Sequence, residues 1–204
     1  MQKKVVLIFA FCILPLWWVF HVLWQPFVIH LIADVTYSLV QETTDVETKH
    51  IAIDRALLYS TRGWNGGKDV LFTSDELSHL HDVSKLYKAF SFTINTLATL
   101  SWAVLIFALS KKIDILPYLN RASHILIGTF LFKIIGLVFF SVFFDNFHQV
   151  LFPQGNYSFP AESVLITIFP EIFWKVVMAS LMLMLFIWGL VYKFLGRDAI
   201  EKTQ

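Results

Sequence analysis

The sequence contains few charged residues. Only 15% of its 204 residues are Asp, Glu, Lys or Arg, whereas soluble domains carry about 25%. Hydrophobic residues make up 57% of the chain and include 21 phenylalanines and 7 tryptophans. This composition is typical of an integral membrane protein. The formal net charge of +1 gives no reason to expect a nucleic acid partner.

Cysteine is almost absent too. The single cysteine, Cys12, lies in the first apolar run, which excludes a disulfide within the chain and a zinc site built from thiolates. We interpret it as a packing residue, because a thiol in apolar surroundings resists ionisation. The sequence also lacks a G-x-S-x-G elbow, a P-loop and a dinucleotide-binding glycine pattern. It therefore predicts no bound cofactor.

Four segments approach the length of about 20 apolar residues that a helix needs to cross a bilayer. They are 1–24, 87–109, 125–144 and 172–191. The sequence predicts a mainly α membrane protein whose four transmembrane helices are joined by 25–86, 110–124 and 145–171 and followed by a tail, 192–204. The first helix is expected to be an uncleaved anchor, because no small-residue cleavage site follows Trp24.

Positive charges predict the orientation of these helices. One set of segments holds Lys3, Lys4, Lys111, Lys112, Arg121, Lys193, Arg197 and Lys202, whereas 145–162 has no Lys or Arg. The excess of Lys and Arg in short cytoplasmic loops then places both termini and 110–124 in the cytoplasm. The segments 25–86 and 145–171 are expected outside the cell.

The segment 25–86, called the cap below, is too polar for lipid and is predicted to be mixed α/β. Alternating apolar residues from Phe27 to Tyr37 predict a strand, and Asp45–Ser60 has the pattern of an amphipathic helix. Glycines within Arg62–Gly67 predict a turn. Thr73-x-x-Glu76 fits a capping box, so a helix should begin there and lead into the second span.

Two groups of acids and histidines interrupt the apolar sequence. In 73-TSDELSHLHDVSKL-86, the spacing of Asp75, His79 and Asp82 puts them on one helix face, whereas His81 points elsewhere. Asp145 and His148 lie three residues apart at the end of the third span. Both groups are predicted on the same side of the membrane, where they could form a catalytic site.

Other interpretations of these residues remain open. Both acid–histidine pairs could be ordinary hydrogen bonds at helix ends. A metal site is disfavoured, because the HExxH spacing that makes zinc specific is missing. Glu171 could orient a catalytic histidine, or it could simply pair with Lys175 four residues later.

The chain resembles the bacterial lipoprotein intramolecular transacylase (Lit) family of four-span membrane proteins. The resemblance covers nearly the whole chain and is carried by 79-HLHDV-83 and by 147-FHQVLF-152, 155-GNYSF-159 and 169-FPEIF-173. These segments resemble the family patterns H-aromatic-x-acid-V, F-H-x-x-F-F, G-x-x-W-x-F and P-E-x-F. Leu80 stands at the aromatic position and Tyr157 at the tryptophan position, and Pro153 follows where the family often continues with apolar residues.

The resemblance implies an acyltransferase. Its substrate would be a membrane lipoprotein whose N-terminal cysteine carries a diacylglyceryl group, and the enzyme would move the sn-2 acyl chain onto the α-amine of that cysteine. The product would be a lyso-form N-acyl lipoprotein. The resemblance implies His79 and His148 as catalytic residues; we assign His79 as base and His148 as acid or oxyanion donor, roles that could be exchanged. Asp82, Asp145 and Glu171 would support them.

No metal, cofactor or obligate protein partner is expected beyond the lipoprotein substrate and membrane lipid. Two other classes of function compete with the acyltransferase. One is a membrane module without catalytic activity that binds a lipid or protein through its cap. The other is a metal-dependent membrane hydrolase.

Overall fold

The computed structural model describes residues 2–40, 46–64, 66 and 69–197. Eight helices and no strand occur among these residues. They are α1 (Gln2–Leu23), α2 (Pro26–Leu39), α3 (Val46–Arg62), α4 (Ser74–Ser110), α5 (Leu116–Val138), α6 (Phe140–Leu151), α7 (Val164–Ile168) and α8 (Glu171–Leu195).

Four of these helices are long and apolar enough to cross a membrane. Their candidate spans are Lys4–Leu23, Ser74–Ser110, Leu116–Val138 and Glu171–Leu195. The predicted number of membrane helices is therefore confirmed. The helices extend beyond the apolar segments because backbone hydrogen bonding continues into polar turns, which a hydropathy pattern does not detect.

The region of the third span differs from the expected single segment 125–144. Helix α5 already begins at Leu116, whose backbone N–H donates to the Asp114 carboxylate at 3.1 Å. At Phe139 the backbone leaves the helical conformation, and α6 follows as a separate helix. Since the sequence stays apolar across Phe139, its hydropathy could not show this break.

The predicted strand from Phe27 to Tyr37 is wrong. These residues belong to α2, in which Pro26 occupies the first turn, where its missing N–H is not needed. The buried residues follow helical spacing rather than alternation; they are Ile29, Ile32, Ala33, Thr36 and Tyr37. The helical spacing is selected because α2 packs on helix α3, and Tyr37 also donates a hydrogen bond to Ile168 of α7; the described residues contain no strand with which α2 could pair.

The rest of the cap is helix and turn. The amphipathic helix predicted over Asp45–Ser60 is α3, although Asp45 lies outside the described residues. In the predicted turn, Gly63 and Gly66 have φ of 95° and 85°, a region that favours glycine; Asn65 and Gly67 lie outside the description. So do residues 198–204 of the predicted tail.

The chain divides into two compact units. Unit 1 contains the described residues of 1–23, 92–136 and 179–204. Within it, α1 packs on α8 through the ring pairs Phe11–Tyr192, at 5.7 Å between centroids, and Trp18–Trp188, at 5.8 Å. Trp17 donates to the Asn95 side chain at 2.8 Å. Apolar helices thus gain specific contacts in addition to the general packing that lipid also offers.

Unit 2 contains the described residues of 24–91 and 137–178. Tyr37 on α2 donates its hydroxyl to the Ile168 carbonyl at the end of α7, at 2.9 Å. The Asp69 carboxylate is 3% exposed and accepts hydrogen bonds from Tyr59 at 2.6 Å and from the Leu71 N–H at 2.7 Å. The Tyr37 bond connects α2 to α7, and the Tyr59 bond connects α3 to the segment that precedes α4.

The predicted capping box is present at the start of α4. The Glu76 carboxylate accepts from the Thr73 N–H at 2.8 Å, and the Thr73 hydroxyl oxygen lies 3.3 Å from the Glu76 nitrogen. Glu76 is fully buried, and its second oxygen accepts from the Leu165 N–H of α7 at 2.9 Å. The side chain that starts α4 therefore also fixes the position of α7.

Candidate active site

His79 and His148 come together within unit 2. His79 lies near the beginning of α4 and His148 lies in the last turn of α6. The centroids of the two imidazoles are 6.3 Å apart, and their planes are inclined by 25°. The pair expected from the sequence therefore faces one common space, although α5 and the rest of α4 separate the two residues along the chain.

An aromatic shell surrounds the two imidazoles. It consists of Phe144, Phe147, Phe152, Tyr157 and Phe159. Phe152 is 3% exposed and contacts both histidines, with centroid distances of 4.7 Å to His79 and 5.6 Å to His148. A shell of this kind excludes water and suits an acyl chain.

A backbone carbonyl orients the His148 ring. Its Nδ1 lies 2.8 Å from the Phe144 carbonyl oxygen, one helical turn earlier. Because a carbonyl can only accept, Nδ1 must carry the proton. Nε2 is then the atom that can exchange a proton with a substrate. The position in the last turn of α6 also places the ring at the negative end of the helix dipole.

The His79 ring has an unsatisfied nitrogen. Its Nδ1 is buried and has no hydrogen-bond partner among the described residues. Most buried polar side-chain atoms in proteins have a partner, so an unpaired one calls for an explanation. Burial also disfavours the charged form of an imidazole, so the resting ring is expected to be neutral, and Nδ1 keeps a free lone pair when the proton is on Nε2.

Asp82 does not hydrogen-bond to His79 among the described contacts. Its carboxylate, 21% exposed, accepts from Lys85 at 2.8 Å, from the Gln154 amide at 2.7 Å and from the Asn156 amide at 2.9 Å. The expected role in orienting the imidazole is thus replaced by another arrangement. Asp82 anchors the segment from Phe152 to Phe159. This segment supplies three rings of the aromatic shell.

Gly155 permits the turn within this segment. Its φ is 79°, and its N–H donates to the Phe152 carbonyl at 3.0 Å. A side chain at this φ would be strained. The turn brings Gln154 and Asn156 toward Asp82, and the chain continues to Tyr157 beside His148.

The structure brings neither Asp145 nor Glu171 onto the histidines. Asp145 is exposed and makes no hydrogen bond or ion pair with His148 in the described part of the chain. Glu171 forms an ion pair with Lys175 at 2.6 Å and accepts from the Ser141 hydroxyl at 2.8 Å. For Glu171, the structure thus contains the alternative interpretation, a simple i,i+4 ion pair with Lys175.

The described residues contain no group of three or more His, Cys, Asp or Glu side chains arranged to hold a metal ion. No ring contact between His81 and His148 occurs among the described residues, and the His81 Nδ1 is buried without a partner there. The sequence did not reveal the contacts of Gln154 and Asn156 with Asp82, or the contact of Glu76 with α7. Their partners lie 72 to 89 positions away along the chain, so no local pattern could have indicated them.

Two neighbouring imidazoles, one with an open buried nitrogen and one held by a carbonyl, are groups of the kind that acid–base chemistry uses. Together with an apolar aromatic shell and four helices long and apolar enough to cross a membrane, they are features expected of a membrane enzyme with a lipid-bearing substrate.

Comparison with known proteins agrees with this class. The family model described as "Lipoprotein intramolecular transacylase Lit" matches residues 5–174. Among solved structures, the in meso structure of the membrane integral lipoprotein intramolecular transacylase Lit from Bacillus cereus is similar, with a TM-score of 0.73 and 18% identity over 99% of this chain and 96% of that chain. No curated protein matches.

The chain belongs to the lipoprotein intramolecular transacylase family, so the family resemblance found in the sequence is confirmed. It is an acyltransferase of the membrane, with lipoproteins as its class of substrate. The similar solved structure supports the fold.

Proposed function

We propose that this enzyme transfers the sn-2 acyl chain of a diacylglyceryl lipoprotein to the α-amine of the lipoprotein's own N-terminal cysteine, with His79 and His148 as catalytic residues. The observation that carries the proposal is the stacked imidazole pair, 6.3 Å between centroids, inside the aromatic shell. Membership of the transacylase family supplies the reaction class.

The geometry of the reaction explains why an apolar shell is useful. From the amine through Cα, Cβ, sulfur, two glyceryl carbons and oxygen to the ester carbonyl, the transition state closes a ring of about eight atoms, so orientation limits the rate. Phe152 and Phe159 flank His79, and Tyr157 flanks His148. These rings can hold the acyl chain folded back against the amine.

His79 acts as general base in this proposal. Its open Nδ1 accepts a proton from the attacking amine, which forms the new C–N bond only when its lone pair is free. Burial suits this role, because it keeps the imidazole neutral before the reaction.

His148 acts as general acid. Its Nε2–H first donates to the developing oxyanion and then gives its proton to the sn-2 oxygen as the ester C–O bond breaks. The Phe144 carbonyl on Nδ1 and the C-terminal end of α6 stabilise the positive charge that this role requires. Return of a proton from His79 to His148 restores the enzyme, and the glyceryl group is left with a free hydroxyl.

Asp82 is a positioning residue in this mechanism. It holds the 154–156 turn through two amides and so keeps Tyr157 and Phe159 against the histidines. Asp145 and Glu171, which were expected to orient imidazoles, make no contact with either histidine in the part of the chain that the structure describes, and the proposal does not use them.

The test is the acyl shift itself. Purified His79→Ala and His148→Ala proteins are incubated with a synthetic diacylglyceryl lipopeptide, and the product is followed by tandem mass spectrometry, because the shift leaves the total mass unchanged. Each variant should be about 100- to 10,000-fold slower than the wild type. His81→Ala, on the same helix but outside the imidazole pair, serves as the control and should retain most activity.

Three outcomes would count against the proposal. Full activity of either variant would remove that histidine from the mechanism. Loss of activity on treatment with a chelator would favour a metal-dependent hydrolase. Release of free fatty acid without an N-acyl product would identify the reaction as hydrolysis rather than transfer.

A further inference from the structure

A cavity with both polar and apolar lining residues lies in unit 1, where the beginning of α5 faces the end of α8. Its volume is about 350 Å³, and it is lined by Asn120, His124, Leu190, Lys193, Phe194 and Arg197. None of these residues takes part in the proposed catalytic mechanism.

Two cations converge on this cavity, and among residues 2–40, 46–64, 66 and 69–197 no acid pairs with them. Lys193 and Arg197 are four residues apart, and neither forms an ion pair with an acid in the described ranges. No acidic side chain is among the lining residues. Like charges at this spacing repel each other, so an anion between them would be stabilising. The guanidinium fork and the ammonium group are both suited to phosphate oxygens.

Close packing shapes the wall of the cavity. A Cβ added to Gly196 would lie 3.0 Å from both Cβ and N of Asn120, so only glycine lets the end of α8 approach α5 this closely. The His124 Nδ1 lies 2.7 Å from the Asn120 carbonyl oxygen, which fixes the ring and leaves Nε2 for another partner. The next residue after Gly196 is Arg197, whose position thus depends on this contact.

The same cavity has an apolar side. Leu190 is 46% exposed and Phe194 is 71% exposed, and both belong to the last two turns of a membrane-spanning helix. A soluble phosphate compound would gain nothing from these side chains. A phospholipid would place its acyl chains along them while its phosphate meets the cations.

We propose that this cavity binds an anionic phospholipid, with the headgroup phosphate between Lys193 and Arg197 and the acyl chains along Leu190 and Phe194. Basic pockets between transmembrane helices recognise anionic headgroups in this way. The site is separate from the imidazole pair, and the proposal does not depend on the transacylase mechanism.

Native mass spectrometry of the purified protein in detergent tests the site, because a micelle lacks the surface potential of a membrane. The full chain is titrated with phosphatidylglycerol and, separately, with phosphatidylcholine. The wild type should retain phosphatidylglycerol in preference. The double variant Lys193→Gln/Arg197→Gln should bind it about 30-fold more weakly, since each basic residue contributes about 1 kcal/mol.

A matched control removes the same charge elsewhere in unit 1. Lys111→Gln/Lys112→Gln alters two exposed lysines that do not line the cavity, and it should change phosphatidylglycerol binding less than threefold. Competition with soluble glycerol phosphate distinguishes the two sources of a phosphate group. It should not displace the bound lipid at equal concentration.

Several results would overturn the proposal. They are equal retention of the two lipids by the wild type, equal losses in the two double variants, and displacement by glycerol phosphate. If the Lys193/Arg197 variant fails to fold, the preference of the wild type and its response to glycerol phosphate still decide the question.

Discussion

At the scale of single residues, the contacts of Asp82 differ in how much they matter to the site. Asp82 is the acceptor for two amides of the 154–156 turn, and its only described cationic partner is the exposed Lys85, whose side chain is 63% accessible. Exposed ion pairs of this type contribute little to stability. The hydrogen bonds from the Gln154 and Asn156 side-chain amides are therefore the contacts of Asp82 that matter to the site.

Replacing Asp82 and Lys85 separately tests whether the amide hydrogen bonds matter more than the ion pair. Asp82→Asn should lower kcat/KM about tenfold, equivalent to about 1.4 kcal/mol, because it removes charge-assisted bonds from Gln154 and Asn156. Hydrogen exchange of the backbone amides in 154–157 should become faster. Lys85→Gln should alter neither measurement. Loss of activity with unchanged exchange in this segment would show that Asp82 acts in another way.

Asp69 supplies a pH-dependent contribution to stability in the cap. Burial alone would raise the pKa of its carboxyl, but the hydrogen bonds from Tyr59 and Leu71 and the charge of Arg55 together hold that pKa below its usual value of 3.8. A carboxyl with a lowered pKa in the folded state stabilises the protein above the unfolded pKa, and this stability is lost as pH falls through the folded pKa.

Asp69→Asn should therefore lower the melting temperature at pH 7, where the lost interactions cost about 1–3 kcal/mol. The difference from the wild type should shrink as pH falls below about 4, the pKa of an unfolded aspartate, because the unfolded wild-type chain then binds a proton that the folded carboxyl, with its lowered pKa, does not yet bind. Thermal unfolding followed by circular dichroism at pH 3 to 7 measures both effects. Asp75→Asn, at an exposed position, should show no comparable difference; a pH-independent penalty for Asp69→Asn would refute the assignment.

At the scale of helices, Gly189 within α8 lets this helix pack closely on the middle of α5. A Cβ on Gly189 would lie 2.8 Å from Cγ1 of Ile127 and 3.3 Å from its backbone nitrogen. Small residues at such points let membrane helices approach closely enough to pack well. Gly128 on α5 has open space where its Cβ would be, with nothing within 4 Å.

The two glycines should respond oppositely to the same change. Gly189→Ala should destabilise the protein by about 1–2 kcal/mol, because it forces α8 away from Ile127. Gly128→Ala should be neutral or stabilising by up to about 1 kcal/mol, because alanine is the better helix former. Melting temperatures in one detergent provide the comparison. A similar shift for both variants would mean that the contact at Gly189 does not limit packing.

The helices also show what the sequence could reveal and what it could not. The capping box at Thr73 and Glu76 was predictable, because both partners lie within one turn. The helical state of α2 was missed because its apolar residues satisfy a period of two as well as the helical spacing that packing selects. The two histidines were found through clustering and family resemblance. The partners of Asp82 depend on the turn at Gly155, which only the fold brings to α4.

At the scale of the whole molecule, the four membrane helices and the family assign the enzyme to the bilayer, and the remaining question concerns its orientation. The substrate imposes a condition on the answer. In the proposed reaction, a lipoprotein that carries its diacylglyceryl anchor would present its amine at the membrane surface, and the His79–His148 pair would have to lie at that same surface. The distribution of Lys and Arg predicts that this surface is the extracellular one.

Cysteine labelling in intact cells tests the predicted orientation. In a Cys12→Ala background, Ser158→Cys and Lys111→Cys each provide a single exposed thiol, one in the segment 145–171 and the other in the loop between α4 and α5. A membrane-impermeant maleimide should label the cysteine at position 158 in intact cells, whereas the one at 111 should react only after permeabilisation. The reason is that short loops rich in Lys and Arg stay in the cytoplasm. The reverse pattern would put the histidine pair on the cytoplasmic side and would contradict the orientation on which an extracellular acyl transfer depends.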